Sequence, residues 1–484
     1  MRRTVTLVAV ALVAAAIPGA TATAEPSAVR WGACPEGASA PGLECSTVEV
    51  PLDYRQEKGR EIAIAVSRLA SKNPAKRRGV LLTNPGGPGI AGLTYPATLA
   101  DPKWVQRLPQ EVLDAYDIIG FDPRGIGHSS PVTCDLTAEQ QAQATLTYAN
   151  TSADVAKHAE KMKAVAEQCG RSSSAWMLPH ITTANTARDM DRIREALGEK
   201  KISFVGASYG TYLGAVYATL FPQRGDRVVL DSNLGPGGYD LTAMRAFGRG
   251  LEDRFPDFAK FAAAKPELGL GRTPQEVRAK FFDLAAKLDK KPALGMDGTL
   301  FRAATFGFLY RDEDVPALAD LWKELDKDQS AARSAAAAAP ADNGKVGRLH
   351  VICGDSSWPK SVQSYQRDVA VDRIRHPLIG AAAANIGPCA YWPSEPVEPQ
   401  VRITDRGPSN VLLVQNERDP GTPLIGAQKL RRAFGDRARL VTIDQGGHGV
   451  YVFAKNKCGN DAVNEFLLGG QLPARDATCA AEPA

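Results

Sequence analysis

Between Val80 and Ser232 the chain alternates short apolar runs with helical patterns, and that alternation limits its architecture more than any other feature. The run Val80–Thr83 leads into glycines, "AYDIIGF" ends in a turn, and "KISFVGAS" passes directly into "YGTYLGAVYATLF", a helical pattern stopped by Pro222. "DRVVLDS" is a further strand. Strand–helix alternation of this kind predicts a mostly parallel sheet flanked by helices. Ahead of it, "CSTVEVPL" and "EIAIAVSRLA" flank the polar turn "DYRQEKGR" and predict an antiparallel hairpin. Helical periodicity also runs through 137–169 and 183–197, the latter opening on Thr and Asn cap candidates and closing on Gly198. The rhythm breaks between about Gly235 and Gln400, where the pattern is mainly helical ("TPQEVRAKFFDLAAKLDK", "VPALADLWKELDKD") and includes an alanine-rich stretch at 334–344. Strands resume in "SNVLLVQNERDPGTP" and "ARLVTIDQGGHGVYV". The expected fold class is α/β, with a large helical lid inserted before the last two strands. Residues 25–234 would form the first part of the sheet domain, 235–400 the lid, and 401–484 the second part with a C-terminal segment.

The N-terminus reads as a leader. Arg2 and Arg3 precede a mostly apolar 13-residue run, Val5 to Ile17, and small residues follow at Ala22 and Ala24. This predicts a signal peptide over 1–24, cleaved near Ala24, and a secreted protein without membrane anchoring. The run falls short of the ~20 apolar residues that a span requires, and Cys34 lies too far along to carry a lipid. The net charge is +4, of which Arg2 and Arg3 supply two, so the mature chain is too balanced to imply nucleic acid or an anionic membrane as partner. The eight cysteines are Cys34, Cys45, Cys134, Cys169, Cys353, Cys389, Cys458 and Cys479. An even number in an exported chain predicts disulfides, and the simplest pairing joins sequence neighbours, 34–45, 134–169, 353–389 and 458–479. None forms a C-x-x-C pair or sits near a histidine in zinc-like spacing.

The chemistry starts at Ser208, boxed by glycines in "GASYG" between a strand and a helix. A sharp strand-to-helix turn exposes the hydroxyl, Gly206 and Gly210 relieve crowding around it, and the helix N-terminus favours developing negative charge. A serine nucleophile needs a general base. His448, in "DQGGHG", follows the strand "RLVTI" on a glycine turn and is the best of the six histidines. His128, in "GIGHSS", also follows a strand but precedes the serine in the chain, against the order Ser–Asp–His. Asp419, in "RDPGTP", follows the strand "VLLVQN" and is the expected acid; Glu417 and Asp444 are the weaker alternatives. "NPGGPG", Asn84 to Gly89, follows "VLLT" and leaves backbone N–H groups unshielded. An N–H from Gly86 or Gly87, with that of Tyr209, would form the oxyanion hole. A phosphate loop is excluded, because no Gly-Lys-Ser/Thr follows.

With these motifs together, the chain resembles the secreted bacterial tripeptidyl aminopeptidases, relatives of the prolyl aminopeptidases within the α/β-hydrolases. The resemblance rests on "NPGGPG", "DPRGIGHSS", "GASYGTYLGAVYA", "DPGTP" and "GGHG", on "FLYRDEDVPALA", "ICGDSSWP" and "CAYWP" in the lid, and on "CGNDAVNEFLLGGQLP". It implies that Ser208, Asp419 and His448 are the catalytic triad, that Gly86 and Gly87 belong to the oxyanion loop, and that Asp122 and Arg124 hold a structural turn. It also implies release of short peptides, mostly tripeptides, from free N-termini through an acyl-enzyme, without metal or cofactor. Carboxylesterases share these motifs, so a secreted carboxylesterase or amidase is the alternative. Asp355, in "ICGDSS", is the candidate for holding the substrate amine, with Asp312, Glu313 and Asp314 behind it.

Overall fold

The computed structural model describes residues 29–104, 107–142, 146–327 and 342–482. The expected leader at 1–24 and most of the alanine-rich stretch lie outside the described residues. Within them nine strands form one sheet: β1 (Leu43–Pro51), β2 (Glu61–Leu69), β3 (Gly79–Asn84), β4 (Tyr116–Phe121), β5 (Ile202–Ala207), β6 (Gly225–Asp231), β7 (Val411–Arg418), β8 (Ala438–Gly446) and β9 (Ala477–Cys479). The spatial order is β1-β2-β4-β3-β5-β6-β7-β8-β9. β1 and β2 form the expected antiparallel hairpin, with Leu43 opposite Leu69 and Pro51 opposite Glu61. β2 also runs antiparallel to β4, and every pairing from β4 to β9 is parallel.

β3, β4 and β5 are buried at every residue, which explains why their sequences lack polar alternation. The period of two survives in what each residue packs against. Val80, Leu82, Phe204, Val228, Leu230 and Leu413 enter one core cluster, while Leu81, Val205, Val229, Leu412 and Val414 enter another. Helices Thr183–Ala196, Tyr209–Leu220 and Leu424–Phe434 cover the first face; helices Gln110–Ala115 and Lys457–Gly469 cover the second. The periodic stretch 137–169 is two helices, Ala138–Ala142 and Ser152–Arg171. The second begins where Thr151 and Asp154 form a reciprocal capping box, a local signal strong enough to set its start.

Seven α-helices among the described residues lie between Leu241 and Ala383, after β6 and before β7. Three of them start on side-chain caps, with Asp240 accepting from Ala243 N, Thr273 from Glu276 N and Asp297 from Leu300 N. Their apolar faces meet in an aromatic cluster centred on Trp322. Its ring lies 4.8 Å from Phe258, 5.4 Å from Phe301, 5.8 Å from Phe281 and 6.1 Å from Phe255. β7 and β8 follow the helical region as expected. A three-residue β9, too short to leave a periodic signal, adds itself beyond β8, where Cys458–Cys479 ties it to helix Lys457–Gly469. The other disulfides are Cys34–Cys45, Cys134–Cys169 and Cys353–Cys389, so each cysteine pairs with its sequence neighbour.

Candidate active site

Ser208 stands directly after β5 and directly before helix Tyr209–Leu220, with φ 57° and ψ −123°. Such a backbone costs about 1–3 kcal/mol and persists only where the surroundings fix it. Here the Ser208 N–H donates to the Asp231 carbonyl at 2.9 Å. Two glycines make room for the turn. A Cβ on Gly206 would lie 2.4 Å from the Gly210 carbonyl oxygen, and one on Gly86 would lie 2.4 Å from the Ala207 carbonyl and 3.0 Å from Ser208 Cβ. The "NPGGPG" loop therefore presses against the serine turn with no space for a side chain at 86.

The loops after β7 and β8 bring Asp419 and His448 together. His448 Nδ1 is 3.0 Å from Asp419 Oδ1 and 2.9 Å from Oδ2. The carboxylate is fully buried and also accepts from Gly421 N, Thr422 N and Thr422 Oγ1, each at 2.8 Å. So many donors hold it in one orientation. Burial alone would lower the pKa of His448, but the Asp419 carboxylate beside it outweighs this, and the imidazole is raised above its ordinary value. Three further residues fix the histidine loop. His448 N donates to the Tyr310 carbonyl at 2.7 Å, and the Tyr310 ring meets the imidazole edge-on at 4.8 Å. Gly449 N donates to Ser232 Oγ at 2.8 Å. Val450 N and Tyr451 N donate to the Asp231 carboxylate at 3.0 and 2.8 Å. Burial raises the Asp231 carboxyl to about 6 despite these bonds.

The other candidates sort cleanly. Asp444 accepts from Arg418 at 2.6 Å and makes no bond to His448. His128 is 3.4 Å from Asp122 with a half-exposed ring, whereas Asp122 itself takes the backbone N–H groups of Gly92, Leu93 and His128. Arg124 is wholly buried, with Nε 2.7 Å and Nη2 2.5 Å from Asp189, so the "DPRG" turn is structural in geometry. Of the oxyanion candidates, Gly86 is corrected as a donor. Its N–H is spent on Asn84 Oδ1 at 3.0 Å, and the residue serves by its shape instead. Gly87 N and Tyr209 N make no hydrogen bond within the described residues. The Gly87 carbonyl is held by Arg348 Nη1 at 2.6 Å.

Asp355 ends helix Asn343–Asp355 and accepts from Thr183 N at 2.7 Å and Thr183 Oγ1 at 2.5 Å. Thr183 Oγ1 is in turn 2.5 Å from Tyr209 Oη, so the aspartate reaches the residue after Ser208 through one threonine. Burial raises its carboxyl to about 7, against the Thr183 hydrogen bonds that pull it down. Asp355 lines a cleft of about 520 Å³ with Asp240, Glu398 and Gln400. Asp312 is paired with Arg254, and Glu313 lies 3.5 Å from Arg311, so these two acids already have cationic partners within the protein. Sequence reasoning missed Asp231, Ser232, Tyr310 and Arg348. Only Asp231 carried a signal, an acid at the end of a buried strand like Asp419. Among the described residues no cluster of His, Cys, Asp or Glu could hold a metal, and no helix is long and apolar enough to cross a membrane.

The "TAP-like protein" family model matches residues 376–479, the segment that holds Asp419 and His448. A tripeptidyl aminopeptidase of Streptomyces lividans is 36% identical over 95% of this chain and 88% of its own length. Serine protease Hip1 of Mycobacterium tuberculosis is 28% identical, over 93% of this chain and 91% of its own. A protein named carboxylesterase B from the same organism is 30% identical, over 96% and 95%.

Proposed function

The chain belongs to the tripeptidyl aminopeptidase family of α/β-hydrolases and is a serine peptidase, and from that premise we propose that it releases short peptides, mostly tripeptides, from free N-termini through an acyl-enzyme. The observation that carries the proposal is the pair His448–Asp419 at the carboxyl ends of β7 and β8, in the same parallel sheet whose β5 ends at Ser208. With Nδ1 donating to Asp419, the imidazole keeps Nε2 as a base. His448 Nε2 takes the proton from Ser208 Oγ as the oxygen attacks the scissile carbonyl. The resulting oxyanion accepts from Gly87 N and Tyr209 N, each such donor being worth about 3–4 kcal/mol in the transition state. The imidazolium then protonates the departing amine, the C–N bond breaks, and an ester to Ser208 remains. Water, deprotonated by His448, attacks that ester and returns the serine.

Asp355 is the proposed anchor of the substrate ammonium, in a cleft that also presents Asp240 and Glu398. Export is supported by the leader pattern and by the four disulfides, a combination suited to an oxidising compartment. The test is a ladder of peptides of increasing length, free or N-acetylated, digested and read by mass spectrometry. The expected products are mostly tripeptides from the free series, with little cleavage of acetylated peptides. The carboxylesterase or amidase reading has one observation in its favour, the 30% identity to the protein named carboxylesterase B. It takes over if free and acetylated peptides are cut equally, or if simple acyl esters turn over far better than any peptide.

A further inference from the structure

A second cavity of about 120 Å³ is bordered by Arg348, by helix Ser152–Arg171 and by helices of the inserted region. Its wall is largely aliphatic and thioether: Met162 and Val165 from helix Ser152–Arg171, Leu241 and Met244 from helix Leu241–Ala263, Ile352 from helix Asn343–Asp355, and Ala383. Several polar side chains at its edge are already bonded to protein. Asn385 Nδ2 donates to the Thr147 carbonyl at 2.9 Å, while its Oδ1 accepts from Ile386 N at 2.9 Å. Trp358 Nε1 donates to the Ile352 carbonyl at 3.2 Å, and Lys345 Nζ to the Gln140 and Gln141 carbonyls at 3.0 Å each. Burial, with Lys161 nearby, lowers the His158 imidazole to about 4, so this edge group is neutral. No carboxylate borders the cavity.

An occupant therefore gains by apolar contact, while a cationic one loses its hydration with no carboxylate to meet. The volume is close to the ~150 Å³ of a dry apolar cavity that accepts benzene. Arg348 connects this space to the chemistry, because it borders the cavity and holds the Gly87 carbonyl at 2.6 Å. We propose that the cavity is a specificity subsite for one apolar side chain of leucine to phenylalanine size, carried by the peptide whose scissile carbonyl is bound at Gly87 and Tyr209. The inference rests on the peptidase reading and adds to it: the acidic cleft at Asp355 receives a cation, and this separate cavity selects an apolar side chain.

The test uses free-amine tripeptidyl anilides in which one residue at a time is Ala, Leu, Phe, Asp or Lys. At one position Leu or Phe should exceed Ala in kcat/KM by about tenfold to a hundredfold, with Lys below Ala. Ala383→Leu, which fills the cavity, should erase that advantage, with rates normalised to the active sites titrated by a fluorophosphonate. Should Ala383→Leu fail to fold, Met244→Ala enlarges the cavity and should move the preference from Leu towards Phe. Peptides cleaved with a flat profile at every position would overturn the cavity inference and leave the peptidase standing. A preference unmoved by either variant would overturn it as well, because the subsite would then lie elsewhere. Cleavage of no peptide at all overturns both.

Discussion

The carboxyl edge of the sheet and the helical region above it are built on different physics. At the sheet edge, position is fixed by directional bonds. Asp419 accepts three hydrogen bonds at 2.8 Å besides the histidine, and Asp231 pins the histidine loop through backbone N–H groups. The helical region is held mainly by packing around Trp322 and by capped helix starts, and it encloses cavity walls several of whose polar groups are bonded internally. Directional bonding fixes atoms tightly enough for bond-making, whereas apolar packing fixes volume and sorts by size. Damage to the sheet edge should therefore appear in turnover, and damage to the helical region in stability or selectivity.

The strongest way to break that contrast is at the sheet edge. Ser208→Ala and His448→Ala should each lower kcat by roughly 10⁴- to 10⁶-fold, and the double variant should lose little more, since such groups act as a unit. Asp419→Asn should cost about 10⁴-fold and move the acid limb of the pH–rate profile downwards. The sign follows from the raised pKa of His448: activity needs the neutral imidazole and fades as pH falls through that raised value, and removing the carboxylate lowers it. Steady-state rates with circular dichroism on each variant check both. Equal loss of fold and rate would show that the edge is structural.

On the other side of the contrast, Trp322→Ala should destabilise by about 3–5 kcal/mol, because it empties the centre of the aromatic cluster. Urea unfolding measures it, and kcat per titrated active site should change little. A large loss of kcat with stability intact would mean that the helical region takes part in the chemistry directly. The smallest effect sharpens the boundary between the two regions. Asp355 has a folded pKa of about 7, above its unfolded value near ~3.9, so its contribution to stability is full below about pH 4 and is lost as pH rises through 7. Asp355→Asn should flatten that decline, read as a shift of a few degrees in Tm between pH 5 and 8. A Tm curve unchanged in slope would mean that this carboxyl ionises without cost.

The residues that end strands were legible because strand ends have a local grammar. Ser208, Asp419 and His448 each follow an apolar run and sit among glycine or proline, so composition over about ten residues located them. What holds them in place had no such grammar. Asp231 lies 219 residues from Val450, and Arg348 is 261 residues from Gly87, with nothing in either sequence neighbourhood to announce the other. Gly86 was recognisable as part of the loop, but whether its N–H faced a ligand or Asn84 depended on one side-chain rotamer. The hairpin, the parallel order and the helical insertion followed from periodicity; the Ser152 helix start and β9 did not, because a capping box and three residues of strand fall below its window.

The bond from His448 N to the Tyr310 carbonyl joins these two kinds of construction at a single atom pair. It makes the insertion an indivisible part of the machine rather than an exchangeable attachment. A designer grafting another relative's cap onto this sheet, to change which substrates it accepts, would also be replacing the peptide group on which the base leans. Such chimaeras succeed or fail on whether the junction conserves that one carbonyl.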